Sequence, residues 1–269
     1  MRIYAIFIYI FLYAPIALIV AGSFNAGKQA MVWTGFSLEW YGKAFSNPLI
    51  TEALMTSVLI ALATATLSSI IGTLAALGLE RVTGWLKAAF EALIYIAIMV
   101  PGIVIGISTL IAFVSFFDMV NPWLTAAWNI KIEMGAWVVV AAHVLFNIAV
   151  VALLIRARLQ GMDRSLVEAS EDLYATPLGT FRQIVLPLLA PSILAGFLLA
   201  FTLSFEDFII AYFVSGPDTT LPIYVFSSIR RGVTPEINAV GTVVLLTSFA
   251  LLIIAQLILQ RANRTAKTA

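Results

Sequence analysis

Six long apolar stretches, at roughly 3–24, 53–79, 88–117, 135–156, 190–213 and 238–260, decide most of what this chain can be. A helix needs about 20 such residues to cross a bilayer, and a backbone in lipid must satisfy its own hydrogen bonds. Strands do not fit, because the runs are long and do not alternate. The expected fold class is therefore all-α integral membrane, with six transmembrane helices. Composition agrees: 62% of the 269 residues are hydrophobic, 11% are charged and the mean hydropathy is +1.03. A water-soluble domain carries about 25% charge. The net charge of +1 gives no field for nucleic acid. With no cysteine, the chain has no disulfide, thiolate zinc site or thiol nucleophile.

The basic residues set the expected orientation. With the N-terminus inside, Arg2, Arg81, Lys87, Arg156, Arg158, Arg164, Arg182, Arg261, Arg264 and Lys267 fall on the cytoplasmic side, ten of the 15 Lys and Arg residues. Lys28, Lys43, Lys131, Arg230 and Arg231 fall outside. The positive-inside rule then puts both termini and residues 157–189 in the cytoplasm of a multi-pass membrane protein. Trp33, Trp40, Trp123 and Trp128 lie in the outer loops, where indole rings suit the headgroup level. The first run is longer than the apolar core of a signal peptide and reads as an uncleaved helix. No soluble domain, linker or repeat stands out, so residues 1–269 are expected to form a single transmembrane domain.

The longest polar interruption of the second half runs from Arg164 to Pro191. Ser165 and Glu168 have capping-box spacing and predict a short helix over 166–173. Thr176-Pro177 predicts a second start, with Thr as the cap and Pro where its missing N–H is harmless. Leu178, Phe181, Ile184 and Val185 recur at helical spacing, and Pro187 and Pro191 should end that helix. The result is a helix–turn–helix hook at the membrane face. An amphipathic pair lying on lipid is one reading. Glu168, Glu171 and Asp172 argue against it at an anionic leaflet and favour docking on a protein.

The run E-A-S-x3-Y-A…G…F-x2-I-x-L-P, from Glu168 to Pro187, resembles the "EAA" signature of ABC importer permease subunits. The resemblance implies the type I importer permease fold. It also implies a coupling loop within 157–189 that seats Glu168, Ala169, Ser170, Asp172, Leu173, Tyr174, Ala175 and Phe181 against an ATPase subunit. Two positions depart from the pattern: Ser170 replaces the second Ala, and Tyr174 replaces a Gly. Gly there permits a left-handed turn, which costs a residue with Cβ roughly 1 kcal/mol or more. Either the turn is built differently, or Tyr174 accepts strain and packs its ring on a neighbour.

The stretches 204–239 and 99–108, and the opening YAPIALIVAGSFN, resemble spermidine/putrescine-type permeases. That resemblance implies an ABC ATPase homodimer, a second and different permease chain, and a periplasmic or lipid-anchored solute-binding protein as partners. ATP and magnesium would sit in the ATPase subunits, with no cofactor on this chain. The solute implied is a polyamine, with opines, amino acids or other small organic solutes as alternatives.

Ionisable residues inside spans usually face a cavity or a partner. Glu206 and Asp207 lie about 22 Å of helix beyond Pro191, past the midplane. A carboxylate there suits an ammonium solute, with Phe205, Phe208 and Tyr212 near enough in sequence for cation–π contact. Pairing with Arg230 or Arg231, or with a partner subunit, are the other readings. Pro101-Gly102 with Gly106 reads as a packing kink first and a gating hinge second. His143 and Asn147, at i and i+4, read as a satisfied buried pair and not as a metal site, since one His with no nearby carboxylate ligand set makes no metal centre. Residues 215–238 predict an outer-face or re-entrant helix, or a plain loop. Gly22 to Lys28 imitates G-x4-G-K, but Gln29 stands where Ser or Thr must hold magnesium, so it is no phosphate loop. Without a nucleotide motif or a clustered catalytic set, the chain is expected to be a transport subunit and not an enzyme. An ion-coupled secondary carrier is the remaining alternative, and it would call for repeats and several buried acids.

Overall fold

The computed structural model describes the backbone of residues 2–28, 32–163, 165–230 and 232–268, and the side chains of these except at 2, 3, 5, 259 and 261–268. The described residues are almost entirely helical, with one isolated bridge between Asn25 and Phe36. Among the described residues, six helical segments are long and apolar enough to cross a membrane: Ile6–Ser23, Pro48–Arg81, Gly102–Trp128, Ala136–Gln160, Pro177–Glu206 and Pro235–Ile258. The chain divides into two compact units, Met1–Ser57 with Thr219–Ala250, and Val58–Asp218 with Leu251–Ala269.

The first unit holds α1 (Arg2–Ser23), α2 (Glu39–Ser46), the start of α3 (Pro48–Arg81), α11 (Leu221–Ile229) and the first part of α12 (Pro235–Thr268). Asn25 organises the loop after α1. Its Nδ2 donates to the Val32 carbonyl at 2.6 Å, and its Oδ1 accepts from the Thr34 amide at 2.9 Å. A Cβ on Gly27 would stand 2.7 Å from Thr34 Oγ1, so the phosphate-loop lookalike is folded onto its own side chains. The Ser57 hydroxyl accepts from the Leu221 amide at 2.8 Å and satisfies the start of α11. That helix is the one anticipated within 215–238.

The second unit holds α4 (Gly84–Met99), α5 (Gly102–Trp128), α6 (Ala136–Gln160), α7 (Ser165–Asp172), α8 (Pro177–Thr180), α9 (Leu186–Glu206) and α10 (Ile209–Val214). Its core joins Ala65 and Ala76 of α3, Val151 and Ile155 of α6, and Leu189 and Ala200 of α9, all fully enclosed. Small residues allow this approach, since helices in lipid are held by close packing and not by water exclusion. A Cβ on Gly72 would lie 2.9 Å from Val151 Cβ and 3.0 Å from the Ile148 carbonyl oxygen, both immobile atoms. Gly72→Val is therefore expected to destabilise the unit by about 1–3 kcal/mol through overpacking. A lowered detergent melting temperature checks this; an unchanged one would mean α3 and α6 do not pack this closely.

Two spans depart from the sequence expectation. The run at 88–117 is not one helix with a kink. It is α4 and α5, separated at Val100 and Pro101, with Val100 extended at ψ 127°. Proline removes an amide and pushes its predecessor out of the helical region, which ends α4. Gly106 then serves packing: a Cβ there would be 2.9 Å from Phe213 Cδ2 and 3.3 Å from Ile210 Cα. The run at 190–213 is likewise broken, at Asp207 and Phe208, between α9 and α10. Conversely, Pro187 and Pro191 do not end a helix. A π-helical turn over Phe181–Val185 passes α8 into α9, with the Leu186 amide reaching back to the Phe181 carbonyl. The wider turn makes room ahead of the proline ring.

Candidate functional site

Both helix breaks open onto one cavity of about 320 Å³ in the second unit. Val100 and Gly102 line it from the first break and Asp207 from the second, with His143 and Asn147 of α6 between them. Non-helical backbone at membrane depth is tolerated where protein covers it or where it lines a cavity. Asp207 makes the second break. Its Oδ1 accepts from the amides of Ile210 at 2.8 Å and Ala211 at 3.2 Å, satisfying the start of α10. A short side chain that competes for backbone amides caps a helix in this way.

His143 is 2% exposed. Its Nδ1 stands 2.8 Å from the Ser204 hydroxyl and its Nε2 3.3 Å from Asp207 Oδ1. The expected satisfied pair of His143 and Asn147 is thus corrected. A carboxylate is close, and the Asn147 amide nitrogen bonds only the His143 carbonyl, at 2.9 Å. Asn147 Oδ1 and His143 Nε2 remain buried without an aligned hydrogen-bond partner. Each such atom costs about 1–3 kcal/mol of desolvation in a native fold.

The other residues expected on the solute path separate. Glu206 ends α9 and is exposed, whereas Asp207 is partly buried at the break. Phe205 is buried and stacked on Phe201, with centroids 5.8 Å apart, so it offers no face to a solute. Phe208 and Tyr212 lie against each other at 5.3 Å. The carboxylate of Asp207 is engaged by His143 and α10, while the Arg230 guanidinium lies 4.9 Å from the centre of the Phe226 ring. Arg231 lies outside the described residues. Two groups escaped the sequence reading. Asp218 Oδ2 accepts from the Ala136 amide at 2.6 Å and caps α6. Glu91 of α4 pairs with Arg156 of α6, whose side chain is only 8% exposed.

The hook forms, with different caps. Thr176 accepts from the Gly179 amide at 3.2 Å with Pro177 next, as expected. Ser165, however, is already helical. The carboxylate of Asp163 accepts its amide at 2.9 Å, and that bond holds the Asp163 carboxyl below the usual carboxylate range. Arg164 lies outside the described residues. Tyr174 takes the left-handed conformation at φ 58°. The Ala175 amide bonds the Ser170 carbonyl and the Tyr174 amide bonds the Glu171 carbonyl, the paired closure of a Schellman turn. Ser170 and Thr180, both buried, meet hydroxyl to hydroxyl at 2.8 Å and tie α7 to α8. The Tyr174 ring packs on nothing: it is 95% exposed, beside Leu173 at 81% and Leu178 at 75%.

Residues 68–267 match the family described as the binding-protein-dependent transport system inner membrane component. The chain belongs to that family. The permease is 37% identical over 257 residues to the spermidine/putrescine transport system permease protein PotC of Haemophilus influenzae, covering 95% of either chain. It is 43% identical over 237 residues to the putrescine transport system permease protein PotI of Escherichia coli, covering 87% of this chain and 82% of that one. Its fold resembles a chain of a bacterial ABC transporter that imports the acidic polysaccharide alginate, with TM-score 0.70, 14% identity and 97% and 92% coverage. It also resembles a chain of an amino acid ABC transporter, with TM-score 0.58, 16% identity and 84% and 100% coverage. The permease is a multi-pass inner-membrane protein with the helical fold of the type I importer permeases.

Proposed function

We propose that the permease forms half of the translocation pathway of an ATP-driven importer for polyamines. The observation that carries this reading is the identity, along most of the chain, to permeases named for spermidine and putrescine. The chemistry of the cavity supports it: one carboxylate, Asp207, stands among apolar walls with no Lys or Arg among the lining residues. A cationic solute is attracted there and an anionic one is repelled. Residues 1–269 act as one permease domain with both termini in the cytoplasm. A second, different permease supplies the other half, and a solute-binding protein delivers the polyamine from outside.

The hook within 157–189 is the coupling element. Glu168, Ala169, Ser170, Asp172, Leu173, Tyr174, Ala175 and Phe181 form or support the face that meets the ATPase homodimer, where ATP and magnesium reside. Exposed Leu173, Tyr174 and Leu178 supply the apolar contact. Two effects compete in Tyr174→Gly. Relief of left-handed strain gains about 1 kcal/mol, and loss of a large buried ring costs about 1.5–3 kcal/mol. The second wins with the ring buried in the partner, so Tyr174→Gly should bind the ATPase about 2- to 30-fold more weakly while the hook itself is firmer. Equal or tighter binding, measured with the solubilised permease pair, would remove Tyr174 from the interface.

The class and the solute are tested together by ATPase activity of the complex co-purified with its partners. Loaded binding protein carrying putrescine or spermidine should stimulate hydrolysis. Stimulation by a neutral or anionic solute alone would keep the importer class and reject the polyamine. Failure to bind any ATPase subunit would reject the coupling role.

A further inference from the structure

The carboxylate of Asp207 explains the charge of the cavity but not why Asn147 and His143 bury unpartnered atoms beside it. The orientation of Asn147 is fixed by its own bond. Its Nδ2 donates to the His143 carbonyl, which can only accept, so the atom left over is the oxygen. A leftover acceptor asks for a donor that the protein does not provide. His143 is set in turn. With Nε2 facing a carboxylate, that nitrogen is the one that carries hydrogen, and Nδ1 accepts from Ser204. The ring thus packs against Asp207 Oδ1 without an aligned hydrogen bond and is no acceptor itself. Asp207 spends Oδ1 on the two α10 amides, and no donor among the described residues reaches Oδ2.

We infer that Asp207, Asn147 and His143 form a pocket for a single primary alkylammonium, with Asn147 Oδ1 as a specificity-determining acceptor. The cation donates one N–H to Asp207 and one to Asn147, and His143 packs against the carboxylate. Leu203, Ile210, Phe146 and Ile105 line the same cavity and suit a methylene stem. Its volume of about 320 Å³ sits at the lower end of small-molecule sites, roughly 300–1,000 Å³. One carboxylate balances one charge, so the pocket reads one terminal amine of a polyamine and gives no counter-charge to a second. This inference rests on the proposed importer function and names how its site recognises the solute.

The test uses the complete importer in proteoliposomes, with putrescine-loaded binding protein at saturation. Wild-type uptake is measured first. Its absence would overturn the polyamine reading and this pocket with it. With wild type active, Asn147→Leu should lower the uptake rate at least tenfold, in complexes that co-purify normally. Asn147→Ala, which adds no bulk, should do the same and decides the matter if the Leu variant does not assemble. Asn147→Gln keeps both the amide donor and the acceptor and should retain at least threefold more uptake than Asn147→Ala. Wild-type rates in both Leu and Ala variants would overturn the pocket, because an acceptor satisfied by water alone has no bearing on transport. Equal loss in all three variants would also overturn it and make Asn147 a packing residue.

Discussion

Asp207→Asn is expected to lower polyamine uptake by about 10- to 150-fold while the importer still assembles. The range follows from the roughly 1.5–3 kcal/mol carried by a hydrogen bond to a charged group. Asparagine keeps an oxygen where Oδ1 accepts from Ile210 and Ala211, so the start of α10 stays capped. The charge disappears, and the free oxygen becomes an amide NH2 that cannot accept from the cation. Asp207→Ala removes cap and charge together, and should add about 1 kcal/mol of instability to the same transport defect. Glu206→Gln should stay within about twofold of wild type, since Glu206 is exposed at the end of α9 and does not line the cavity. Uptake of labelled putrescine by the three variants separates these effects. A strong defect in Glu206→Gln with none in Asp207→Asn would move the cation path to the other side of α9.

Arg156→Met should produce the largest loss of stability, roughly 3–5 kcal/mol, because it strands the Glu91 carboxylate among apolar helices. The Arg156 side chain is 8% exposed and that of Glu91 30%, so water can relieve the orphan only in part. The double replacement Glu91→Gln with Arg156→Met should recover most of the loss. Removing both charges also removes the desolvation that the pair had to overcome. Detergent melting temperatures of the single and double variants measure the coupling. Additive effects would show that the two groups do not sense each other, and that α4 is not pinned to α6 by charge.

The spans were legible because a bilayer imposes a length, and length survives in any apolar run. What interrupts a span was less legible. Pro101 announced a disturbance, but whether α4 and α5 kink or part depends on the backbone at Val100, which is extended at ψ 127°. Nothing around Asp207 looks like a helix end by hydropathy; the break exists because its carboxylate competes for the α10 amides. Pro187 misled in the opposite direction, since one π-helical turn carries the chain through it. Local chemistry read well at Thr176-Pro177, where cap and first residue are neighbours. It read poorly at His143, whose partners Ser204 and Asp207 lie in another helix and at a break no pattern marks. Tyr174 was visible as a departure from Gly, but its left-handed backbone, at φ 58°, was one of two readings that only the fold separates. Its bare ring could be known only from the fold.

The most direct test of a cation-conducting half-pathway is ATP-dependent accumulation of labelled putrescine in proteoliposomes containing the complete importer, with and without a large excess of an unlabelled anionic solute. Accumulation that requires ATP and the binding protein, and that the anion does not reduce, is the result expected from Asp207 at the cavity. ATP-dependent accumulation of the anion, with putrescine left outside, would contradict it.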